Sequence, residues 1–491
     1  MAAGAATPDN RFDRLREHSI GLPQVLFQSV THMAPAAAVA YSLLLSVFNA
    51  GPVLPLAVLL ALAACLLAAS SIGQLAREMP SAGGLYTYGA RTLGPAAGFF
   101  VAWLFLLFEP LVAPFLFLEG GWAIRDVMQS EVGWHYTGQW WIWVLALAAI
   151  VFLLTYRDIR ISANAGVILG VFEITVFAAL AIWMLISNGG QLGLGAFNPD
   201  HSPTGWTGVF KGMVFAILAF IGFEASAPLG EEAKNPGRAI PRAVVYSCLG
   251  IGLFYLLASY AWVYGAGFNN FVHQATTNPD PWRSLAKLFW AGGWVLVFVA
   301  IVNSIVANSN AGFNAATRVF YAMARNGAAP APLAHTHPRF KTPYVAIIVN
   351  TIIAVGLSFI LGWKWGPLNG FYMLATAATV VVILVYMLVM LGCGVYYWRA
   401  DRFNPLLHGL FPLAGIVLFA FPLYYQYRPI PAAPLNYAVW WAAGWVGLGI
   451  IVTWLMWRWR PQALRNAQLI YVPDETPGPA GHVYGHPEDE A

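Results

Sequence analysis

The sequence predicts an all-α protein that crosses a membrane many times, and three observations support this fold class. Of the 491 residues, 59% are hydrophobic and only 9% are charged, and the mean hydropathy is +0.64. A soluble domain has about 25% charged residues. Apolar stretches of about 20 residues, each long enough to cross a hydrocarbon core, recur along the whole chain. Two of these stretches, at corresponding positions of two halves, are interrupted by Pro or Gly.

The apolar stretches predict twelve transmembrane helices. Their expected spans are 22–47, 54–76, 95–124, 139–156, 162–187, 208–230, 241–267, 285–322, 343–362, 367–398, 405–427 and 436–458. The preceding segment, 1–21, carries charges and no apolar signal-peptide core, so we expect a cytoplasmic tail. The segment 459–491 is rich in Pro, Gly and acidic residues, which predicts a disordered cytoplasmic tail.

The distribution of basic residues predicts the orientation. If the N-terminus is inside, only six of the 25 Lys and Arg residues fall on outer segments, namely Arg125, Lys211, Arg283, Lys287, Lys364 and Arg428. This bias predicts a plasma-membrane protein with both termini in the cytoplasm. The formal charge of +4 then reflects topology, and we expect no nucleic-acid partner. The three cysteines lie in apolar segments without metal-ligand spacing, so neither a metal nor another cofactor is expected.

The first and sixth spans contain the interruptions. Pro35 lacks a backbone donor and clashes with the preceding helical turn, and the sixth span carries Gly222 and Pro228. Either feature alone is explained by a packing kink. Breaks at matching positions indicate a transporter built from an inverted repeat, with its site near the bilayer midplane. The expected units are 22–187 (helices 1–5), 208–398 (helices 6–10) and 405–458 (helices 11–12).

Three motifs carry a resemblance to a known family. GFEASAPLGEEAKNPGRAIPRAV, 222–244, resembles the sixth-helix signature of the amino-acid/polyamine/organocation (APC) permeases. NAATRVFYAMARNGAAPAPLAHTHPRFKTP, 314–343, resembles the eighth helix and following inner loop of that family, and REMPSAGGLYTYGARTLGPAAGFFVAW, 77–103, resembles its second-to-third helix link. The resemblance implies the leucine-transporter-type fold, with twelve transmembrane helices and alternating access.

The resemblance also implies a substrate site at the two breaks. Many relatives have a glycine-rich first break whose free amides hold a substrate carboxylate, but this chain has Met33, Ala34, Pro35, Ala36 and Ala37 there. Alanine amides can still donate, whereas Pro35 cannot. The expected substrate-binding residues are Met33, Ala34, Ala36, Ala37, Glu109, Phe220, Ile221, Gly222, Glu224, Asn308 and Tyr372. His32 adjoins the first break and is a further titratable group, or a neutral hydrogen-bonding side chain.

Four glutamates fall inside predicted spans, where an unpaired charge is costly. Glu173 is expected to carry a coupling proton, with a permanently neutral packing role as the equal alternative. Glu224 is expected to brace the unwound backbone and exchange protons. Glu109 is a candidate to sense a substrate ammonium, and Glu119 is expected to be a packing or interfacial group. Glu231 and Glu232 are expected to form solvated ion pairs with Lys234 and Arg238, which are close in the sequence.

The leading functional hypothesis is a secondary transporter of an amino acid or small organic amine, coupled to protons or another ion, or working by exchange. The partners are then the small-molecule substrate, the coupling ion and the lipid bilayer. A channel would need a repeated filter, and an intramembrane enzyme would need a catalytic motif such as HExxH or GxSxG; neither occurs in the sequence. A membrane sensor with a transporter fold and a transporter of a small carboxylate remain as alternatives.

Overall fold

The helices follow the apolar runs of the chain. The computed structural model describes residues 15–134, 139–189, 192–278, 280–468, 470–471 and 483–484. The rest of the two expected tails lies outside the described residues. Helices up to residue 187 are α1 (Leu22–His32), α2 (Pro35–Ala37), α3 (Leu43–Ala50), α4 (Leu54–Glu78), α5 (Leu85–Leu93), α6 (Pro95–Ser130), α7 (Trp140–Tyr156) and α8 (Ile159–Ser187). A π-helical turn, Ala38–Ser42, joins α2 to α3.

The second part of the chain repeats this pattern of long helices. Its helices are α9 (Trp206–Phe220), α10 (Pro236–Gly265), α11 (Phe271–Thr277), α12 (Pro281–Trp290), α13 (Trp294–Arg325), α14 (Tyr344–Trp365), α15 (Pro367–Arg399), α16 (Phe411–Tyr427), α17 (Leu435–Trp459) and α18 (Pro461–Asn466). A π-helical turn, Pro405–Leu410, precedes α16. Two strands of two residues each, β1 (Ile470–Tyr471) and β2 (Val483–Tyr484), pair in antiparallel fashion.

The described residues contain nine helical stretches that are long and apolar enough to cross a membrane, together with two shorter apolar helices, α7 and α9. One of the nine, Leu22–Glu78, covers the first two predicted spans. The prediction of an all-α polytopic membrane protein is therefore confirmed. The count of twelve transmembrane helices and the division into inverted repeats stay predictions.

The burial of the helices separates an interior from a lipid-facing rim. Of the most apolar stretch of α6, 89% is buried inside the protein, whereas only 17% of the corresponding stretch of α17 is buried. α6 packs against α13 and α15, and α4 packs against α10. On α17 the exposed side chains include Trp440, Trp454 and Trp457, as expected for a helix that faces lipid. The central position of α6 brings its polar side chains into the core.

Two predicted spans differ from the structure. The sixth span was expected to be helical around a short break, but α9 ends at Phe220 and the next α-helix begins at Pro236. Gly222 has φ 113°, and Pro228 in the following 3₁₀ turn supplies no amide donor, so the backbone does not resume an α-helix. The eighth span was expected to begin at 285, but a 3₁₀ turn at Ala291–Gly293 separates α12 from α13.

The segment before α1 and helix α18 both pack against the rest of the protein. Ile20 pairs with Ala233 in a parallel bridge, and the carbonyl of Glu232 accepts from the amide of Ser19 at 2.8 Å. At the other end of the chain, α18 follows α17 and its Leu464 is 1% exposed. The expectation of disorder from residue 459 onward is thus wrong for α18, because a leucine and two alanines of this segment pack against the protein.

Candidate functional site

The first helix is broken in the core of the protein. α1 ends at His32 and α2 begins at Pro35. Ala34 has φ 47°, in the left-handed region that costs an L-residue about 1–2 kcal/mol. Pro35 explains the break, because proline disfavours the helical conformation in the residue before it. The helix then continues through the π turn to Ala50, so the first amides of this second half point back toward the break.

Two side chains from other helices cap these amides. The amide of Ala36 donates to Oε2 of Glu173 on α8 at 3.1 Å, and the amide of Ala37 donates to Oγ of Ser304 on α13 at 3.2 Å. Both acceptors are fully buried. A carboxylate at a helix N-terminus is favoured by the helix dipole and by the unsatisfied amides. Glu173 therefore holds the second half of the first segment to α8.

The break after α9 is braced by its own carboxylate. Oε2 of Glu224 accepts from the amide of Gly222 at 3.2 Å, and the amide of Ser226 donates to Oγ of Ser29 on α1 at 3.1 Å. Glu224 is 2% exposed. The expectation that Glu224 braces unwound backbone agrees with this contact, and its proton exchange stays a prediction.

Tyr255 on α10 links the two breaks. Its hydroxyl lies within hydrogen-bond distance of two carbonyl oxygens. One belongs to Met33, which follows α1, and the other, at 2.9 Å, belongs to Ala219 in the last turn of α9. The side chain is 0% exposed. Since a hydroxyl has one hydrogen, the two carbonyls share it. The sequence offered no signal for this role, because Tyr255 lies in an ordinary apolar helix.

His32, the last residue of α1, lies between the two breaks and α6. Its Nε2 is 3.0 Å from Oε1 of Glu109, and its Nδ1 is 3.4 Å from the carbonyl oxygen of Asn308. The ring packs between two glycines: an added Cβ at Gly222 would lie 2.5 Å from its Cδ2, and one at Gly312 would lie 2.9 Å from its Cε1. A carbonyl can only accept, so Nδ1 carries the hydrogen when it bonds Asn308.

A small enclosed cavity lies beside His32. Its volume is about 20 Å³, room for about one water molecule. Residues of α1, α2, the π-helical turn, α6, α9, α13 and the two breaks line it: His32, Met33, Ala34, Ala37, Ala38, Ser42, Val112, Phe115, Leu116, Glu119, Leu218, Ile221 and Asn308. A substrate larger than water would require these walls to separate.

The structure brings together some of the residues expected to bind substrate and separates others. Met33, Ala34, Ala37, Ile221 and Asn308 line the cavity. The remaining expected residues do not line it. Ala36 is capped by Glu173, Glu109 contacts His32, and Gly222 and Glu224 form the second break. Phe220 packs on Tyr255, and Tyr372 packs on Phe371. Their assignment to the substrate site stays a prediction.

Glu119 also lines the cavity, although it was not among the expected substrate-binding residues. It was expected to be a packing or interfacial group, and it is 2% exposed. A signal was present, because Glu109, Val112, Leu116 and Glu119 recur at intervals of three and four residues. Such spacing puts side chains on one face of a helix. Glu109 and Glu119 therefore lie on the face of α6 that is directed to the breaks.

The ion pairs of Glu231 and Glu232 differ from the expectation. Glu232 does not pair with a solvated neighbour but with Arg318 of α13, at 2.8 Å and 3.1 Å, and both side chains are 0% exposed. Glu231 pairs with Arg325, also on α13, at 2.6 Å. The expected partners Lys234 and Arg238 are close in sequence only, since packing of the segment after the second break against α13 turns both carboxylates inward.

Taken together, two broken helices that meet at a buried cavity define the class of a secondary transporter. The family model described as amino acid permease matches residues 20–456. The chain belongs to this family, as the resemblance predicted, and it is a membrane transporter rather than an enzyme.

Individual relatives support this assignment. The chain is 28% identical to the low-affinity putrescine importer PlaP of Escherichia coli K12, over 71% of this chain and 76% of the importer. It is 28% identical to the branched-chain amino acid permease BcaP of Bacillus subtilis, over 61% of this chain and 65% of the permease. It is 25% identical to the glutamate/serine transporter AimA of Bacillus subtilis, over 78% of this chain and 72% of that transporter.

Proposed function

We propose that this protein carries an amino acid or a small organic amine across the plasma membrane by alternating access, driven by a proton gradient or by exchange. The observation that carries the proposal is the cavity at the meeting point of the two helix breaks. Glu119 and His32 line it, Glu109 contacts His32 without lining the cavity itself, and none of the described lining residues is Lys or Arg. A cavity with this charge favours a ligand that brings an ammonium group.

The relatives are consistent with such a substrate. Their names include an importer of putrescine, which is a diamine, and permeases of amino acids, which carry an ammonium beside a carboxylate. Both kinds of compound present a cation to the cavity. The substrates in these names differ in whether a carboxylate accompanies the cation. The names therefore support both amino acids and small organic amines as the substrate class.

Glu173 is the group that we assign to proton coupling. The ionised carboxylate accepts a charge-assisted hydrogen bond from the amide of Ala36, and protonation weakens that bond. Loss of the bond frees the second half of the first segment to move relative to α8. Proton binding at Glu173 would in this way be linked to the opening of the cavity.

Counterflow in proteoliposomes tests transport directly. Vesicles that contain the purified protein and unlabelled amines and amino acids should accumulate the labelled form of a substrate. A sensor binds its ligand without exchanging it, so stabilisation of the protein by a ligand that never exchanges would favour the sensor. Accumulation of simple carboxylates in preference to amines and amino acids would favour the carboxylate transporter.

The substitution Glu173→Gln tests the coupling. Gln keeps an acceptor oxygen for the Ala36 amide but cannot release a proton. We expect uptake driven by a pH gradient to be abolished while counterflow at equal pH is partly retained. Glu131→Gln is the matched control, because Glu131 pairs with Lys287 at the end of α6, away from the breaks. Normal pH-driven uptake by Glu173→Gln would exclude this role.

A further inference from the structure

The amides of the first break are already engaged by the protein. The amide of Met33 donates to the Ser29 carbonyl at 3.2 Å, that of Ala34 to the Thr31 carbonyl at 3.0 Å, and that of Ala38 to the Ala34 carbonyl at 2.7 Å. Pro35 has no amide hydrogen. Ala36 and Ala37 donate to the side chains of Glu173 and Ser304. No backbone donor from Met33 to Ala38 is left over for a ligand carboxylate.

Glu173 has the chemistry that a ligand carboxylate would bring. It places a carboxylate oxygen 3.1 Å from the Ala36 amide, at the start of the helical run that continues to Ala50. A second carboxylate at the same place would have to displace it and would meet its charge at short range. Like charges in a low-dielectric interior repel strongly. An amino acid is therefore disfavoured at this helix end.

The cavity instead carries acceptors that lack donors. Oε1 of Glu119 and Oδ1 of Asn308 are buried and have no hydrogen-bond donor among the described residues. Both residues line the cavity, and they are 2% and 6% exposed. A buried acceptor without a donor is costly, so each such atom in a native protein calls for an explanation. A group with several N–H donors and a positive charge would satisfy both atoms.

We propose that the cavity selects an organic ammonium compound that has no carboxylate, with the Glu119 carboxylate and the Asn308 side-chain oxygen as the acceptors of its ammonium group. The inference rests on the proposed function, because it names the substrate class of the transporter. Glu119 lies on α6 and Asn308 on α13, and both line the same cavity. Glu173 excludes carboxylated analogues by occupying the Ala36 amide.

Matched pairs of ligands test the selectivity. The members of each pair differ only in the carboxylate: isobutylamine and valine, putrescine and ornithine, cadaverine and lysine. We expect the amine of the transported pair to compete in counterflow at least about tenfold better than its amino acid, a difference of about 1.4 kcal/mol. Equal competition by the amino acid would overturn the inference and leave transport established.

The same pairs separate this inference from the proposed function. Thermal stabilisation of the purified protein reports binding whether or not the ligand is carried. If no compound exchanges, the transport proposal fails, and the order of stabilisation by amine and amino acid still decides the selectivity. Stabilisation by the amine alone supports the inference, and stabilisation by the amino acid alone refutes it.

Substitutions test Glu119 and Asn308 as acceptors of the ammonium group. Glu119→Gln should weaken amine competition at least about tenfold, since it removes the charge that the ammonium meets, while Asn308→Asp should retain it because an acceptor oxygen remains. Glu131→Gln should behave as the wild type. Unchanged amine competition in Glu119→Gln would remove Glu119 from the site.

A second comparison tests Glu173. Glu173→Ala frees the Ala36 amide and should reduce the preference for the amine over its amino acid. Glu173→Gln keeps an acceptor for that amide, so its preference should stay closer to that of the wild type. A preference that is the same in wild type and Glu173→Ala would show that Glu173 does not exclude the carboxylate.

Discussion

The ring of His32 fits between two glycines because neither presents a side chain to it. Gly222 has a positive φ, which adds a backbone reason for glycine, whereas Gly312 lies in the regular helix α13, where only the space matters. The ring in turn reaches Glu109. Small changes at Gly312 should therefore be transmitted to the His32–Glu109 pair.

We predict that Gly312→Ala destabilises the protein by about 1–3 kcal/mol, the usual cost of overpacking. The new Cβ would lie 2.9 Å from Cε1 of His32 and 3.2 Å from Cγ1 of Val112, so the His32 ring or the Val112 side chain must shift. Thermal unfolding of the purified protein measures the loss. Gly356→Ala is the control, because a Cβ there meets no atom within 4 Å and alanine favours the helix. Equal effects of the two substitutions would contradict the packing argument.

A second prediction at this scale concerns Arg318 and Glu232. Arg318→Gln leaves the Glu232 carboxylate buried without its bidentate partner, which typically costs about 3–5 kcal/mol. Glu232→Gln in the same chain should recover part of the loss, because the buried charge is removed. The matched control is Arg402→Gln: Arg402 is 56% exposed and pairs with Glu78, and breaking an exposed pair costs about 1 kcal/mol or less. A double variant no more stable than Arg318→Gln would show that the unpaired charge is not the cause.

At the scale of elements, the two broken segments are joined to each other and to their neighbours by polar contacts. Ser29 on α1 accepts from Ser226 in the second break, Tyr255 reaches carbonyls of both segments, and the chain before α1 pairs with the segment after the second break. Such contacts satisfy the backbone groups that unwinding exposes. They also mean that the two segments move together or lose these bonds.

We predict that Tyr255→Phe destabilises the protein by about 1–3 kcal/mol, since it leaves buried carbonyls without a donor, and slows counterflow by loosening the link between the breaks. Tyr260→Phe is the matched control: Tyr260 is also on α10, and its hydroxyl donates to the carbonyl of Gly193 at 3.0 Å, outside the breaks. Thermal unfolding and initial counterflow rates measure the two effects. A slower rate in Tyr260→Phe but not in Tyr255→Phe would contradict the proposed link.

For the whole molecule, the segment before α1 and helix α18 lie near the same end of α13. Ser19 contacts Glu232, which pairs with Arg318, and Asn466 donates to the carbonyl of Asn326 just beyond α13 at 3.4 Å. Ends on one side of a membrane agree with an even number of crossings. The distribution of Lys and Arg predicts that this side is the cytoplasm.

Cysteine labelling tests that orientation. Val132, after α6, is 60% exposed and lies on an expected outer segment, whereas Asp401, after α15, is exposed on an expected inner one. We predict that a membrane-impermeant maleimide labels Val132→Cys in intact cells and Asp401→Cys only in inverted vesicles. The wild type is the control, because its three cysteines are buried and should not react. Labelling of Asp401→Cys from outside would reverse the orientation.

The candidate site was predictable in part. Pro35 and Gly222 located both breaks, because missing amides and positive φ are properties of single residues. Glu109 and Glu224 were recognised because a carboxylate is rare in an apolar span. Glu119 was not among the expected substrate-binding residues, although its spacing from Glu109 puts both on one helix face. Tyr255 had no distinguishing signal among the other aromatic residues of its helix.

The sequence by itself determined the fold class, the helix breaks and the membership of a transporter family, because apolar length, proline, glycine and motif spacing are local along the chain. Only the tertiary structure decided the partners of the buried polar groups. Glu173 caps Ala36, 137 positions away, and Glu232 pairs with Arg318, 86 positions away, instead of with the neighbouring Lys234. The physical reason is that a hydrogen bond depends on distance and angle between atoms on different helices, and these are set by how the helices pack.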